Sequence, residues 1–157
     1  MNAATDLQRL VRQGSWEKDV VVWVGSEHAL TDLLSGVRVE RLDLLDLFDE
    51  DRLPADDDEA RKQLTDRLRS RLRAYSPGPA SRLVLVVRSV ALLARYAVGV
   101  HEFYDWFCGT FGMVILTLDG IPDSTGWPDQ VKCDPDRLRR YFHETCAVAG
   151  VYGEQRR

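Results

Sequence analysis

Three runs that are apolar except for Thr117 limit the folds that this chain can adopt. They are Val20–Val24, Leu83–Val87 and Gly112–Leu118, and none of them alternates between apolar and polar residues. A strand that is covered on both faces, as in a parallel sheet between helices, has this continuous pattern. The three runs therefore predict buried strands of a mostly parallel sheet, with Leu83–Val87 at its centre.

Helical patterns lie between the apolar runs. The predicted elements in chain order are a short helix around Leu7–Val11, the strand Val20–Val24, a helix over Ala29–Leu34, the strand Val37–Leu42, the helix Glu59–Tyr75, the strand Leu83–Val87, two short helices at Val90–Tyr96 and Glu102–Phe107, the strand Gly112–Leu118, a short strand around Gln130–Cys133 and a helix from about Pro135 to about Val148. This alternation predicts right-handed crossovers with helices on both faces of the sheet. We therefore predict one α/β domain over residues 1–157, a three-layer sandwich with a small, mostly parallel sheet of four to five strands.

Composition sets limits on the cellular context. The chain has 157 residues, of which 45% are hydrophobic and 29% charged, and its net charge of −4 argues against a dedicated nucleic-acid binder. No apolar run approaches the roughly 20 residues of a membrane span, and the amino terminus lacks the apolar region of a signal peptide. Cys108, Cys133 and Cys146 are an odd number at wide spacing, which favours reduced thiols. We expect a cytoplasmic protein that does not enter a membrane.

The carboxyl ends of the strands are the first place to look for a ligand, because open α/β sheets bind ligands there. Gly25 and Ser26 follow the first strand at the position of a phosphate-binding loop, and Arg88 follows the strand Leu83–Val87 at the position of a Walker B acid. The glycine, lysine and hydroxyl residues of a Walker A loop are absent, and so is the Walker B acid. Gly25 and Ser26 therefore predict either a tight turn with a helix cap or an anion site. Arg88 predicts either an ion pair with a loop carboxylate or an anion contact.

Aromatic residues crowd the segment after the Leu83–Val87 strand. We interpret five of them as a candidate protein interface: Tyr96, Phe103, Tyr104, Trp106 and Phe107. One helical face does not readily bury so many rings, which favours an exposed interface, and core packing is the alternative.

The helix Glu59–Tyr75 carries basic residues around its leucine stripe. The candidate nucleic-acid contacts are Arg61, Lys62, Arg69 and Arg73. A solvated surface balanced by neighbouring aspartates is the alternative interpretation.

Histidine and cysteine side chains offer two further hypotheses. His143 and Cys146 are three residues apart on one helix face and within reach of each other, but a helix face alone supplies neither an oxyanion hole nor an orienting third group. A metal site would need His101 and Cys108 as well, and their spacing matches no common zinc pattern. We predict no catalytic residue, no metal and no cofactor.

The order of a βα turn, an arginine-rich helix, the strand Leu83–Val87 and the run Gly112–Leu116 resembles a compact P-loop NTPase core without its motifs. Over about residues 18–145 the chain resembles the small accessory proteins of bacterial anti-phage BREX systems, of the BrxB and BrxF type. This resemblance implies a P-loop or Rossmann-like core that acts as a scaffold or adaptor in a defence complex. No catalytic residue carries over, because the Walker lysine and the magnesium-binding acid are missing.

The sequence therefore favours a non-catalytic adaptor that binds a partner protein. The alternative is a nucleotide- or nucleic-acid-binding domain that uses Arg88 and the basic helix. A small cysteine-dependent enzyme that uses His143 and Cys146 is a third hypothesis.

Overall fold

The computed structural model describes residues 2–13, 16, 19–48, 54–75, 77–78, 82–107, 111–118, 133–146 and 149–153. Within these ranges, six strands form one sheet in which every neighbouring pair is parallel. The strands are β1 (Asn2–Ala3), β2 (Val20–Val24), β3 (Val39–Asp43), β4 (Leu83–Arg88), β5 (Gly112–Leu118) and β6 (Gly150–Gly153). Their order across the sheet is β1-β6-β2-β5-β4-β3.

The predicted α/β class with a small parallel sheet is confirmed, but the sheet is larger than the four to five strands expected. The two additional strands, β1 and β6, are short and lie together at one side of the sheet. Neither contains a long apolar run, so periodicity could not reveal them. Of the short strand predicted at 130–133, only Cys133 falls within the described residues, and it is not in a strand.

Six α-helices connect the described strands. They are α1 (Ala4–Arg12), α2 (Glu27–Leu33), α3 (Asp57–Tyr75), α4 (Ala91–Arg95), α5 (His101–Trp106) and α6 (Pro135–Cys146), and a 3-10 turn covers Leu44–Leu47. Helix α3 begins two residues before its predicted start because Asp56 caps it. The Glu59 amide donates to the Asp56 carboxylate at 2.7 Å, and the Ala60 amide donates to the Asp56 carbonyl at 3.0 Å.

Alternate residues of the central strands enter two separate hydrophobic cores, which makes the fold a three-layer sandwich. In β4, Leu83, Leu85 and Val87 pack with the helices α3 to α6. Val84 and Val86 point to the opposite face and pack with α1 and α2. Because both faces are covered, every side chain in the middle of β4 is apolar, as the continuous run predicted.

The chain crosses the sheet from β2 to the edge strand β3 and then returns through β4 and β5. The connection from β2 to β3 passes through α2 on one face, whereas α3, α4, α5 and α6 lie on the other face as the chain steps back through β4 and β5 to β6. The helices that follow the neighbouring strands β2 and β5 therefore lie on opposite faces. In open α/β sheets, this is where a crevice for ligands forms at the carboxyl edge.

None of the helices in the described ranges combines the length and apolar content that crossing a membrane requires.

Candidate functional site

The carboxyl edge of the sheet brings together the residues of the predicted anion site. Arg88, the last residue of β4, reaches across β5 to Glu27, the first residue of α2, with 2.6 Å between Nε and Oε1. An ion pair was one of the two interpretations of the position of Arg88, but its partner is the first carboxylate of a helix and not a loop carboxylate. Because Glu27 already neutralises Arg88, a second anion would have to compete with a carboxylate held in place by the helix.

The turn after β2 has its polar groups engaged as well. Gly25 adopts a φ of +152° that other residues rarely adopt, and its amide donates to the Leu118 carbonyl at 3.2 Å. The Ser26 hydroxyl accepts the Ala29 amide at 3.1 Å, and the Trp23 indole donates to the Ser26 carbonyl at 3.0 Å. The described contacts thus make Gly25 and Ser26 a tight turn and helix cap, and binding of an anion there stays a prediction.

A different arrangement occurs where α5 packs beside α3. We call it the Trp106 surface, and it is formed by Arg69 and Arg73 of α3 with Glu102 and Trp106 of α5. The Arg69 guanidinium makes two hydrogen bonds to the Glu102 carboxylate, at 2.7 and 2.8 Å. The guanidinium carbons of Arg69 and Arg73 lie 5.9 and 5.2 Å from the centre of the Trp106 ring. Two cations therefore hold the indole in place, and part of the side chain stays exposed.

Glu102 is the buried anchor of this surface. Only 5% of its side chain is exposed, although the side chain of Arg69 is 41% exposed. The Arg69 hydrogen bond lowers the pKa of Glu102 below its ordinary value, and this effect exceeds the opposite influence of burial. The same hydrogen bond raises the pKa of Arg69. The carboxylate consequently stays ionised and fixes the guanidinium beside Trp106.

The five aromatic residues of the predicted interface separate into two groups. Tyr96, Phe103 and Phe107 are buried in the core, whereas Tyr104 is half-buried and Trp106 is 38% exposed. Phe103 and Phe107 are four residues apart and face the sheet, while Glu102 and Trp106 have the same spacing and face α3. This narrows the surface available to a partner to Tyr104 and Trp106.

The four basic residues predicted to contact nucleic acid also have different environments. Arg69 and Arg73 contact Trp106, as described above. Arg61 and Lys62 are exposed and make no hydrogen bond, ion pair or ring contact with other residues in the described ranges. They line a cavity of about 400 Å³ between α3 and the start of α5, which Asp58 and Asp66 also line.

The described residues give little support to chemistry at His143 and Cys146. Both lie on the exposed side of α6, and partial desolvation raises the pKa of the Cys146 thiol. An activated cysteine needs the opposite shift, since the thiolate is the nucleophile. Among the described ranges there is no group of three or more side chains that could hold a metal ion, and Cys108 lies outside those ranges.

Sequence reasoning did not identify Glu102 or the arginines of α6. Glu102 stands between Val100 and Phe103, and an acidic residue in an apolar segment is a signal of a buried ion pair. Arg137 and Arg140 are three residues apart, which places them on one helix face. Neither signal predicts which helix these residues face. That depends on how α3 packs against α4, α5 and α6 in the folded protein.

No protein-family model matches this chain, and no curated protein matches its sequence.

Proposed function

We propose that this protein is a non-catalytic adaptor with a P-loop-like α/β core, and that it binds a partner protein through Trp106 and Tyr104. The resemblance to BREX accessory proteins extends the proposal to a bacterial anti-phage defence complex as the setting. The observation that carries the proposal is the partly exposed indole of Trp106, which two arginines and a buried carboxylate hold in one orientation.

The composition of the Trp106 surface supports a protein partner. Tryptophan, tyrosine and arginine are the residue types that most often dominate the binding energy of protein interfaces. Large apolar side chains with substantial exposure are rare in the described ranges, where only Trp106 at 38% and Val24 at 37% qualify. An indole that is already held in place loses little conformational entropy when a partner covers it.

The carboxyl edge supports a core that lacks ATPase activity. The central strand β2 leads into the turn at the phosphate-loop position, and β4 ends at the same edge of the sheet, as a P-loop-like core requires. The residues at these positions are unsuited to a nucleoside triphosphate, since Glu27 would repel phosphates and pairs with Arg88. We therefore propose that the core serves to position α3 and α5.

The test is purification of the tagged protein from its native host, with mass spectrometry for bound proteins and absorbance at 260 nm for bound nucleic acid. Trp106→Ala is compared with wild type and with Val24→Ala, which shortens the other exposed apolar side chain. We expect a stoichiometric protein partner that is retained by Val24→Ala and lost from Trp106→Ala. Trp106→Phe, which keeps an aromatic ring, should retain part of the binding.

Thermal unfolding of each variant separates binding from stability. If Trp106→Ala keeps the partner, or loses it only because the domain unfolds, the proposed interface is wrong. If the wild-type protein purifies with no stoichiometric partner at all, the adaptor function itself is wrong.

A nucleotide- or nucleic-acid-binding domain is the second candidate, and it is favoured by the exposed cations Arg61 and Lys62 on α3, the helix that also contacts the Trp106 indole. Bases stack on aromatic and guanidinium planes, and cations without a carboxylate partner attract phosphates. Such binding should weaken steeply with salt and fall in Arg61→Gln. Absence of binding to ATP, RNA or DNA at low ionic strength would eliminate this candidate.

A further inference from the structure

A second cavity lies beside α6, apart from the Trp106 surface. Its volume is about 420 Å³, which is within the range of small-ligand sites. Helix α6 provides one wall, the first turns of α3 provide another, and the end of α4 forms the floor. Four arginines line it, namely Arg61, Arg95, Arg137 and Arg140.

These four guanidinium groups differ in how many hydrogen bonds and ion pairs they already make within the protein. Arg95 makes a bidentate ion pair with Asp57, at 2.8 and 2.9 Å. Arg137 donates a hydrogen bond from one nitrogen to the Arg95 carbonyl at 3.0 Å, and it makes no ion pair with a carboxylate of the described residues. Arg61 and Arg140 make no hydrogen bond, ion pair or ring contact with residues in the described ranges. Three arginines thus present free donors to one cavity.

The spacing along α6 explains why two of these arginines point into the cavity. Arg137, Arg140, Tyr141 and Glu144 follow one another at intervals of three, one and three residues, which is one face of a helix. Tyr141 fixes this face against the fold, because its hydroxyl donates to the Val98 carbonyl. The guanidinium groups are therefore mounted on a rigid element.

The carboxylates around the cavity leave an excess of positive charge. Asp57 is occupied by Arg95, so Asp58 and Glu144 stand against Arg61, Arg137 and Arg140. A phosphate monoester carries about −1.5 to −2 charges and three acceptor oxygens. Three guanidinium groups can share three oxygens, whereas a carboxylate offers only two.

We propose that the α3–α6 cavity binds a phosphate monoester through Arg61, Arg137 and Arg140. The phosphate belongs either to a phosphorylated side chain of a protein or to a small metabolite, and the cavity recognises the chemistry that these sources share. A continuous nucleic-acid backbone fits less well, because Asp58 and Glu144 would repel its neighbouring phosphates.

Isothermal titration calorimetry at low ionic strength tests this proposal, with a phosphoserine peptide and AMP as probes and the matching glutamate peptide as a comparison. We expect saturable binding of at least one phosphate probe. Arg140→Gln should bind that probe about tenfold more weakly, since a hydrogen bond to a charged group is lost. Arg71→Gln is the matched control, because Arg71 is an exposed arginine of α3 outside this cavity and makes no hydrogen bond, ion pair or ring contact in the described ranges.

Tighter binding of the phosphoserine peptide would identify a modified protein as the source, and tighter binding of AMP would identify a metabolite. No binding of either probe would overturn the proposal, and so would an equal loss in Arg140→Gln and Arg71→Gln. Equal affinity for the glutamate peptide would also overturn it, because the cavity would then recognise carboxylates. Arg140→Lys keeps the charge but not the planar fork, so it should also bind more weakly than wild type.

Discussion

Two arginine–glutamate pairs in this protein have nearly the same distance from Nε to the carboxylate and very different surroundings. The Nε to carboxylate distance is 2.7 Å for Arg69 with Glu102 and 2.6 Å for Arg88 with Glu27. The side chain of Glu102 is 5% exposed, whereas that of Glu27 is 34% exposed and that of Arg88 is 49% exposed. The distance between the charges therefore does not show how much an ion pair contributes to the stability of the fold. Water can replace the partner of Glu27 but not that of Glu102.

The largest effect should come from removing the buried carboxylate. Glu102→Ala leaves the Arg69 guanidinium without its acceptor and a void beside α3, so we expect the free energy of unfolding to fall by about 2 kcal/mol. Denaturant unfolding measures this change. Glu144→Ala, which shortens an exposed glutamate of α6, is the control and should change stability little. Equal losses in Glu102→Ala and Glu27→Ala would contradict the difference between the two pairs.

Acid should abolish part of the stability that Glu102 contributes. Because the Arg69 hydrogen bond lowers the pKa of Glu102, the folded protein releases this proton more readily than the unfolded chain does. The stability from this group is therefore fully present above the unfolded pKa of about 4.3 and is lost as the pH falls through the lower folded pKa. Unfolding of wild type and Glu102→Gln at neutral pH and near pH 3 should show a gap that narrows in acid. A gap that is constant with pH would mean that the charge of Glu102 contributes nothing.

The sequence predicted the sheet better than it predicted the site, for a physical reason. The burial of a strand such as β4 can be predicted from its own residues, because a strand that is covered on both faces must be apolar on both. The strands β1 and β6 are short and form only because they pair with strands that are distant in sequence, so no local pattern predicted them. The same limit applies to Arg88. Its position at the carboxyl edge was predictable, but its pairing with Glu27 depends on the strand order, which places β5 between β4 and β2.

The candidate interface shows this limit within one helix. The aromatic crowd after β4 predicted a surface, but Phe103 and Phe107 are core residues and Trp106 is not. The division follows the four-residue spacing, which was visible in the sequence. What the spacing could not tell was which face of α5 meets the sheet and which meets α3.

The smallest effect should come from the exposed pair at the carboxyl edge. Glu27→Gln removes a screened interaction, so the free energy of unfolding should fall by about 0.5 kcal/mol or less. Raising the salt concentration to 1 M shortens the Debye length to about 3 Å, and the difference between Glu27→Gln and wild type should then disappear. The corresponding difference for Glu102→Gln should persist, because a buried carboxylate is shielded from salt ions. Unfolding in denaturing urea, which adds no ions, measures both differences at low and high salt. If salt removes both equally, then the pair at Glu102 is as open to solvent as the pair at Glu27, and the Trp106 surface has no buried anchor.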